Sequence, residues 1–131
     1  MKLATILQYT VIGLPTVFYG DEAGVEGMKD PYCRATYPWG HEDLDLIEWY
    51  KKLGTLRDNK VFDGGDMNIK YAQTGVLIFE RVKDDKKVFV AVNRSTDDFE
   101  FTLAKSMCNF FTGGYVSRKI TLKKDEAVVL I

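Results

Sequence analysis

One histidine, two cysteines and three prolines are all that this chain of 131 residues carries of those types. Each scarcity closes off some chemistry. A lone His41 cannot build a metal centre, because such sites draw on clusters of imidazoles, thiolates or carboxylates at short spacing. Cys33 and Cys108 lie far apart and match no metal-ligand or redox spacing, so they read as free thiols in a reducing cytoplasm. Charge of one sign is missing too: 18 Lys and Arg stand against 19 Asp and Glu, for a formal charge of -1. That balance steers the chain toward neither nucleic acid nor an anionic membrane. No apolar run is long enough to span a bilayer. The opening run of Leu3, Ala4, Ile6 and Leu7 is broken by Gln8, Tyr9 and Thr10, with no small-residue cleavage site, which argues against a signal peptide. No metal and no cofactor are expected.

What is present suits a globular fold. Hydrophobic residues make up 46% and charged residues 28%, enough for a real core. Residues 2–12 read as a helix with an apolar stripe at Leu3, Ile6, Leu7, Thr10 and Val11. No capping residue precedes it, as though an upstream piece were missing. Pro15 ends the helix and pushes Leu14 toward an extended conformation. Thr16 to Tyr19, β-branched and aromatic without charge, reads as one buried strand. Gly20 closes it. A long loop over 23–42 follows, then a helix from about Asp43 to Asp58 with an apolar face at Leu46, Ile47, Tyr50, Leu53 and Leu56. After Gly64-Gly65 the period becomes strand-like: 67–73, 76–83, 87–94, 99–103, 115–122 and 127–131, with Asp84-Asp85-Lys86 as a hairpin turn. The expectation is an α+β chain of two parts, 1–59 and 60–131. The second is an antiparallel sandwich able to fold alone.

Asp21 and Glu22, leaving the end of the 16–19 strand, form a tempting acid pair. Acid–base chemistry by such a pair needs the two carboxylates on opposite sides of one substrate bond, about 5–10 Å apart. Adjacent residues leaving a strand face opposite ways. One of the two is therefore expected to hydrogen-bond loop amides instead. Asp30-Pro31-Tyr32-Cys33-Arg34 offers better ligand chemistry. Asp and Arg can each hold vicinal hydroxyls at two points, while Tyr32, Tyr37 and Trp39 can lay flat faces on pyranose rings. Asp30 and Arg34 can equally pair with each other and pin the loop. His41 reads as a solvated loop residue, Cys33 as an inert one, and Met67, Met107, Phe110 and Phe111 as core.

Four segments carry a resemblance. Gly13 to Glu22 fits a G-x-P-x-x-x-Y-G-x-E pattern; Asp30 to Arg34 with Tyr37-Pro38-Trp39 fits D-P-x-x-R and Y-P-W; Leu77-Ile78-Phe79-Glu80-Arg81 and Val88 to Ser95 are two strands after the Leu56-Arg57 pair. In this order they resemble the α-amylase family, glycoside hydrolase family 13, in its neopullulanase and amylopullulanase branch. The resemblance implies the last helix-strand-helix of a (β/α)8 barrel over 1–59, then a Greek-key β-domain over 60–131. It implies that Asp21 and Glu22 support the barrel mouth, and that Asp30, Arg34, Trp39, Tyr32 and Tyr37 face the donor side of the cleft. Ala35 stands where a second basic residue is common. The family's nucleophile, acid/base and stabilising carboxylates belong to earlier strands, so no catalytic residue is assigned. The implied ligand is an α-glucan or maltooligosaccharide, bound weakly by this chain in isolation, and the implied parent enzyme cleaves α-1,4 or α-1,6 bonds with retention. A homo-oligomer through the exposed N-terminal segment is expected. The rival readings are a free-standing sugar-binding module and a structural, self-associating domain.

Overall fold

The computed structural model describes residues 1–27 and 29–131 and, for Tyr32, the backbone alone. Helix α1 (Lys2–Thr10) buries Thr5, Ile6, Tyr9 and Thr10. It stops two residues short of the expected end because Val11 is already extended. Helix α2 (Leu44–Arg57) starts where its cap is: the Asp43 carboxylate accepts from the Leu46 N–H at 2.9 Å. Leu46, Tyr50, Leu53 and Leu56 form its buried stripe. Tyr50 meets Tyr9 edge to face, with ring centroids 6.1 Å apart.

Eight strands follow: β1 (Asp66–Gln73), β2 (Val76–Lys83), β3 (Lys86–Asn93), β4 (Phe99–Thr102), β5 (Met107–Cys108), β6 (Tyr115–Val116), β7 (Lys119–Leu122) and β8 (Glu126–Leu130). β1, β2, β3 and β8 make one antiparallel sheet in that order. β4 pairs with β7, and β5 with β6. The β1–β2 turn requires Gly75: its φ is +83°, and an added Cβ would lie 2.7 Å from the Ser95 backbone.

Strand alternation makes the central sheet a partition between two cores. Val88, Val90 and Val92 of β3 face one way, joining Phe79, Val129, Ile6, Tyr9, Leu53 and Leu56 in a cluster beneath the helices. Phe89 and Ala91 face the other way, joining Ile78, Val128, Leu130, Leu103 and Leu122 beneath β4 and β7. The first cluster draws on both sides of residue 59, so helices and sheet share one core. Trp49 of α2 stacks on Phe111, centroids 4.6 Å apart, tying in a late loop.

Three expectations need correction. Residues 16–19 are not a strand, and they are not buried: Phe18 is 70% and Tyr19 55% exposed. A strand needs a neighbour to complete its hydrogen bonds, and none lies alongside this segment among the described residues. The expected 115–122 strand breaks at Ser117-Arg118 into β6 and β7, which pair with different partners. β5 was not anticipated, being only two residues long.

Candidate functional site

The loop after α1 is built on tight local turns. At Gly20 φ is +81°, and a Cβ would fall 2.6 Å from Val25 Cγ2, so only glycine fits. Asp21–Ala23 then form one 3₁₀ turn. The Asp43 N–H donates to the Ala23 carbonyl at 3.1 Å, so the loop is clipped at its base onto the cap of α2. Among the described residues between Ala23 and Asp43, 26, 27, 29–31, 33–36 and 39–41 are exposed.

Asp30 and Arg34 meet each other. Arg34 Nε lies 2.9 Å from Asp30 Oδ1, and Arg34 Nη2 donates to Oδ2 at 3.4 Å, with both side chains exposed. The 3₁₀ turn Tyr32–Arg34 sets the i, i+4 spacing that permits this. Of the two chemistries open to these residues, mutual pairing is the one adopted. Cys33 is exposed and free, its Sγ 3.8 Å from Asp30 Oδ1.

The aromatic residues gather separately. Tyr37 and Trp39 have centroids 4.6 Å apart, and Tyr19 meets Tyr37 edge-on at 6.3 Å. Trp39 is 80% exposed and presents its indole to solvent. Tyr19 is the member that sequence reasoning missed; its place at the end of an aromatic run was the available signal. Burial pushes the Tyr37 phenol up, and the negative charges of Glu22 and Glu42 and the neighbouring Tyr19 push it the same way. No hydrogen bond or ion pair among the described residues joins this group to the Asp30–Arg34 pair. The ring of Tyr32, expected to join them, lies outside the described residues.

Asp21 and Glu22 are half-buried and make no side-chain hydrogen bond among the described residues. The loop amides that one of them was expected to cap bond to backbone instead: Asp21 N–H to Phe18 O and Ala23 N–H to Gly20 O, both at 3.0 Å. Their charge still acts on α2. Burial raises the Tyr50 phenol, and Asp21, Tyr9 and Glu22 raise it further. Glu22 lines an open cavity of about 500 Å³ with Tyr9, Val17, Phe18, Tyr19 and Tyr50. Among the described residues no three His, Cys, Asp or Glu side chains are placed to share a metal ion. His41 is exposed, its backbone N–H held by Pro38 O at 2.8 Å. No described helix is long and apolar enough to cross a membrane.

This small α+β architecture, with mostly antiparallel sheets, is one found in α-amylases. An α-amylase from Anoxybacillus superposes with a TM-score of 0.86 at 26% identity, over 98% of this chain and 31% of that one. An α-amylase from Geobacillus thermoleovorans, solved with acarbose, gives 0.85 at 25% identity, over 98% of this chain and 32% of that one. The amylopullulanase of Thermoanaerobacterium saccharolyticum is 42% identical over 115 residues, which is 79% of this chain and 9% of that protein. Neopullulanase 2 of Thermoactinomyces vulgaris is 34% identical over 145 aligned residues, 98% of this chain and 25% of that protein. The chain belongs to the α-amylase family of glycoside hydrolases, as a homologue of part of these enzymes. It spans about a tenth of the first relative and a quarter of the second. No family model matches it.

Proposed function

We propose that this chain is the C-terminal portion of a retaining, α-glucan-acting glycoside hydrolase of the amylopullulanase or neopullulanase kind, cleaving α-1,4 or α-1,6 bonds. In this reading residues 1–59 close a (β/α)8 barrel and residues 60–131 form its β-domain. The carrying observation is the 42% identity to amylopullulanase over 79% of the chain but only 9% of the enzyme. The fold supports it from another side. A compact chain of 14.9 kDa exposes about 7,000 Å², whereas this one exposes 8520 Å². Part of the surplus is apolar surface at Leu14, Val17, Phe18 and Tyr19. A barrel neighbour would cover it, and so would a second copy. We therefore expect self-association when the chain is alone.

In the parent enzyme Asp30, Arg34, Tyr37 and Trp39 would face the donor side of the cleft, with Tyr32 beside them and Asp21 and Glu22 shaping its rim. The paired Asp30 and Arg34 fix a loop that carries exposed rings, an arrangement suited to holding a maltooligosaccharide rather than cutting it. Exposed, free Cys33 fits a cytoplasmic setting. The test is direct. Purified chain incubated with pullulan or maltooligosaccharides is expected to release no new reducing ends. Turnover that vanishes in Asp21→Asn or Glu22→Gln would overturn the assignment, since it would make these two acids the catalytic pair. The second reading, a free-standing sugar-binding module, is favoured only by the bare indole of Trp39, and micromolar maltooligosaccharide binding would establish it.

A further inference from the structure

The core between the central sheet and the β4–β7 pair is open on one side. There the structure leaves a cavity of about 420 Å³, within the roughly 300–1,000 Å³ of small-molecule sites. Its walls are apolar: Tyr71, Ile78, Phe89, Phe99, Phe101 and Met107. Three of those rings run in series, Tyr71 to Phe99 at 4.8 Å and Phe99 to Phe101 at 6.5 Å. Of the uncharged wall residues, only Thr102 and the Tyr71 phenol carry a side-chain hydrogen-bonding group, and the phenol is spent on Gln73 Oε1 at 2.8 Å. A ligand covered in hydroxyls would find little to bond there.

The rim is different. Lys70, Glu80, Lys87 and Lys105 stand around it, three cations to one anion. A β-bulge shapes this edge: Ile69 pairs with Phe79 and Tyr71 with Ile78, which leaves Lys70 as the extra residue. The bulge brings two consecutive residues, Lys70 and Tyr71, to the same cavity, where regular pleating would send them to opposite faces. Lys70 then lies 3.0 Å from Glu80 Oε2, and Lys87 2.9 Å from Oε1. Both carboxylate oxygens are thus engaged, and the side chain is only 13% exposed. Lys105 is exposed and has no ion-pair partner among the described residues. The rim therefore keeps a surplus of positive charge above an apolar pocket.

We propose that this cavity binds an amphiphilic carboxylate, its apolar body among Phe89, Phe99 and Phe101 and its anionic head at the Lys70–Glu80–Lys87 cluster and Lys105. The site lies on the opposite side of the sheet from the helices and is independent of the glucan reading.

The experiment is calorimetric titration of the full chain with decanoate below its micelle concentration, alongside decanol and maltotriose. Saturable one-to-one binding of decanoate, with decanol weaker and maltotriose absent, is expected. Lys105→Glu should weaken decanoate binding about three- to tenfold, as reversing one exposed charge does, and Lys105→Arg should restore it. Phe18→Ser, in the exposed N-terminal segment, should leave it unchanged. No binding, equal binding of decanol, or indifference to Lys105→Glu would overturn the proposal. So would loss of binding in Phe18→Ser, which would put the ligand on the N-terminal patch. Displacement of decanoate by maltotriose would make the cavity a sugar site and overturn it equally.

Discussion

Arg81 of β2 donates from Nη1 to the carbonyl of Thr10 at 2.9 Å, a bond that joins residues 71 positions apart. The same nitrogen reaches Val11 O at 2.9 Å, while Nη2 reaches Gly65 O at 2.8 Å and Nε reaches Asp66 O at 3.2 Å. Arg81 is 1% exposed and sits over the Phe62 ring. Backbone carbonyls, including those at the end of α1, thus solvate a buried guanidinium, and the fork geometry suits that task better than an ammonium. Arg81→Leu strands these carbonyls and should cost about 3 kcal/mol. Arg81→Lys should cost less, because it keeps the charge without the fork. Urea unfolding followed by circular dichroism measures both. A Leu variant within error of the wild type would show that the clasp contributes nothing.

Acid should weaken the sheet through Glu80. Burial pushes its carboxyl up, but hydrogen bonds from Lys87 and Lys70 and their charges outweigh that and hold it below the ordinary value. A depressed folded pKa means stability that is present above the unfolded value, about 4.3, and lost as the pH falls through the lower folded one. Unfolding midpoints should therefore drop from pH 6 to pH 3. In Glu80→Gln the midpoint at pH 6 should be lower and the drop smaller. Asp98, held down by Lys123, and Glu100, held down by Lys119, are exposed and should contribute the residual slope. A full-sized drop in Glu80→Gln would assign the effect to them.

Maltooligosaccharide binding by the chain alone should be about millimolar or poorer, near 4 kcal/mol. The loop offers one exposed indole and one ion pair, and each ordered side chain costs roughly 0.5–1.5 kcal/mol. Trp39→Ala and Arg34→Ala should each abolish what binding there is, read by chemical-shift titration with maltotriose. Unchanged shifts at the loop in the wild type would remove it from the binding surface.

Self-association should follow the exposed segment after α1. Leu14 and Phe18 stand in solvent, and the backbone of 14–18 carries no regular secondary structure. Light scattering should report a dimer or larger species. The double variant Leu14→Ser, Phe18→Ser should shift it toward monomer. A wild-type monomer at high concentration would contradict this expectation.

The β2–β3 hairpin was legible because two apolar runs flank a charged turn, although the turn expected over Asp84-Asp85-Lys86 closes on Asp84-Asp85 alone, with Lys83 opposite Lys86. Helix α2 was legible from its apolar stripe and from acids placed early and bases placed late along it, and the Asp43 cap agrees with both. The 16–19 segment misled because strand propensity reports how side chains pack on a sheet, and says nothing of whether a partner strand is there. At the loop, residue types named the possible contacts of Asp30 and Arg34, but only geometry could show that they choose each other. The bulge at Lys70 left no mark in the sequence, since it is a fact of register between two strands. The cavity it shapes was hidden with it.

Val88 to Asn93 of β3 are buried without interruption, and the strand is bonded on one edge to β2 and on the other to β8. Amides enclosed in this way exchange with deuterated solvent only when the whole structure opens, whereas loops exchange through local fluctuations. The backbone N–H groups of Val90 and Ala91 are thus internal gauges of global unfolding. Their exchange rates give the free energy of the entire chain without denaturant, and the irregular residues 14–18 set the opposite end of the same scale.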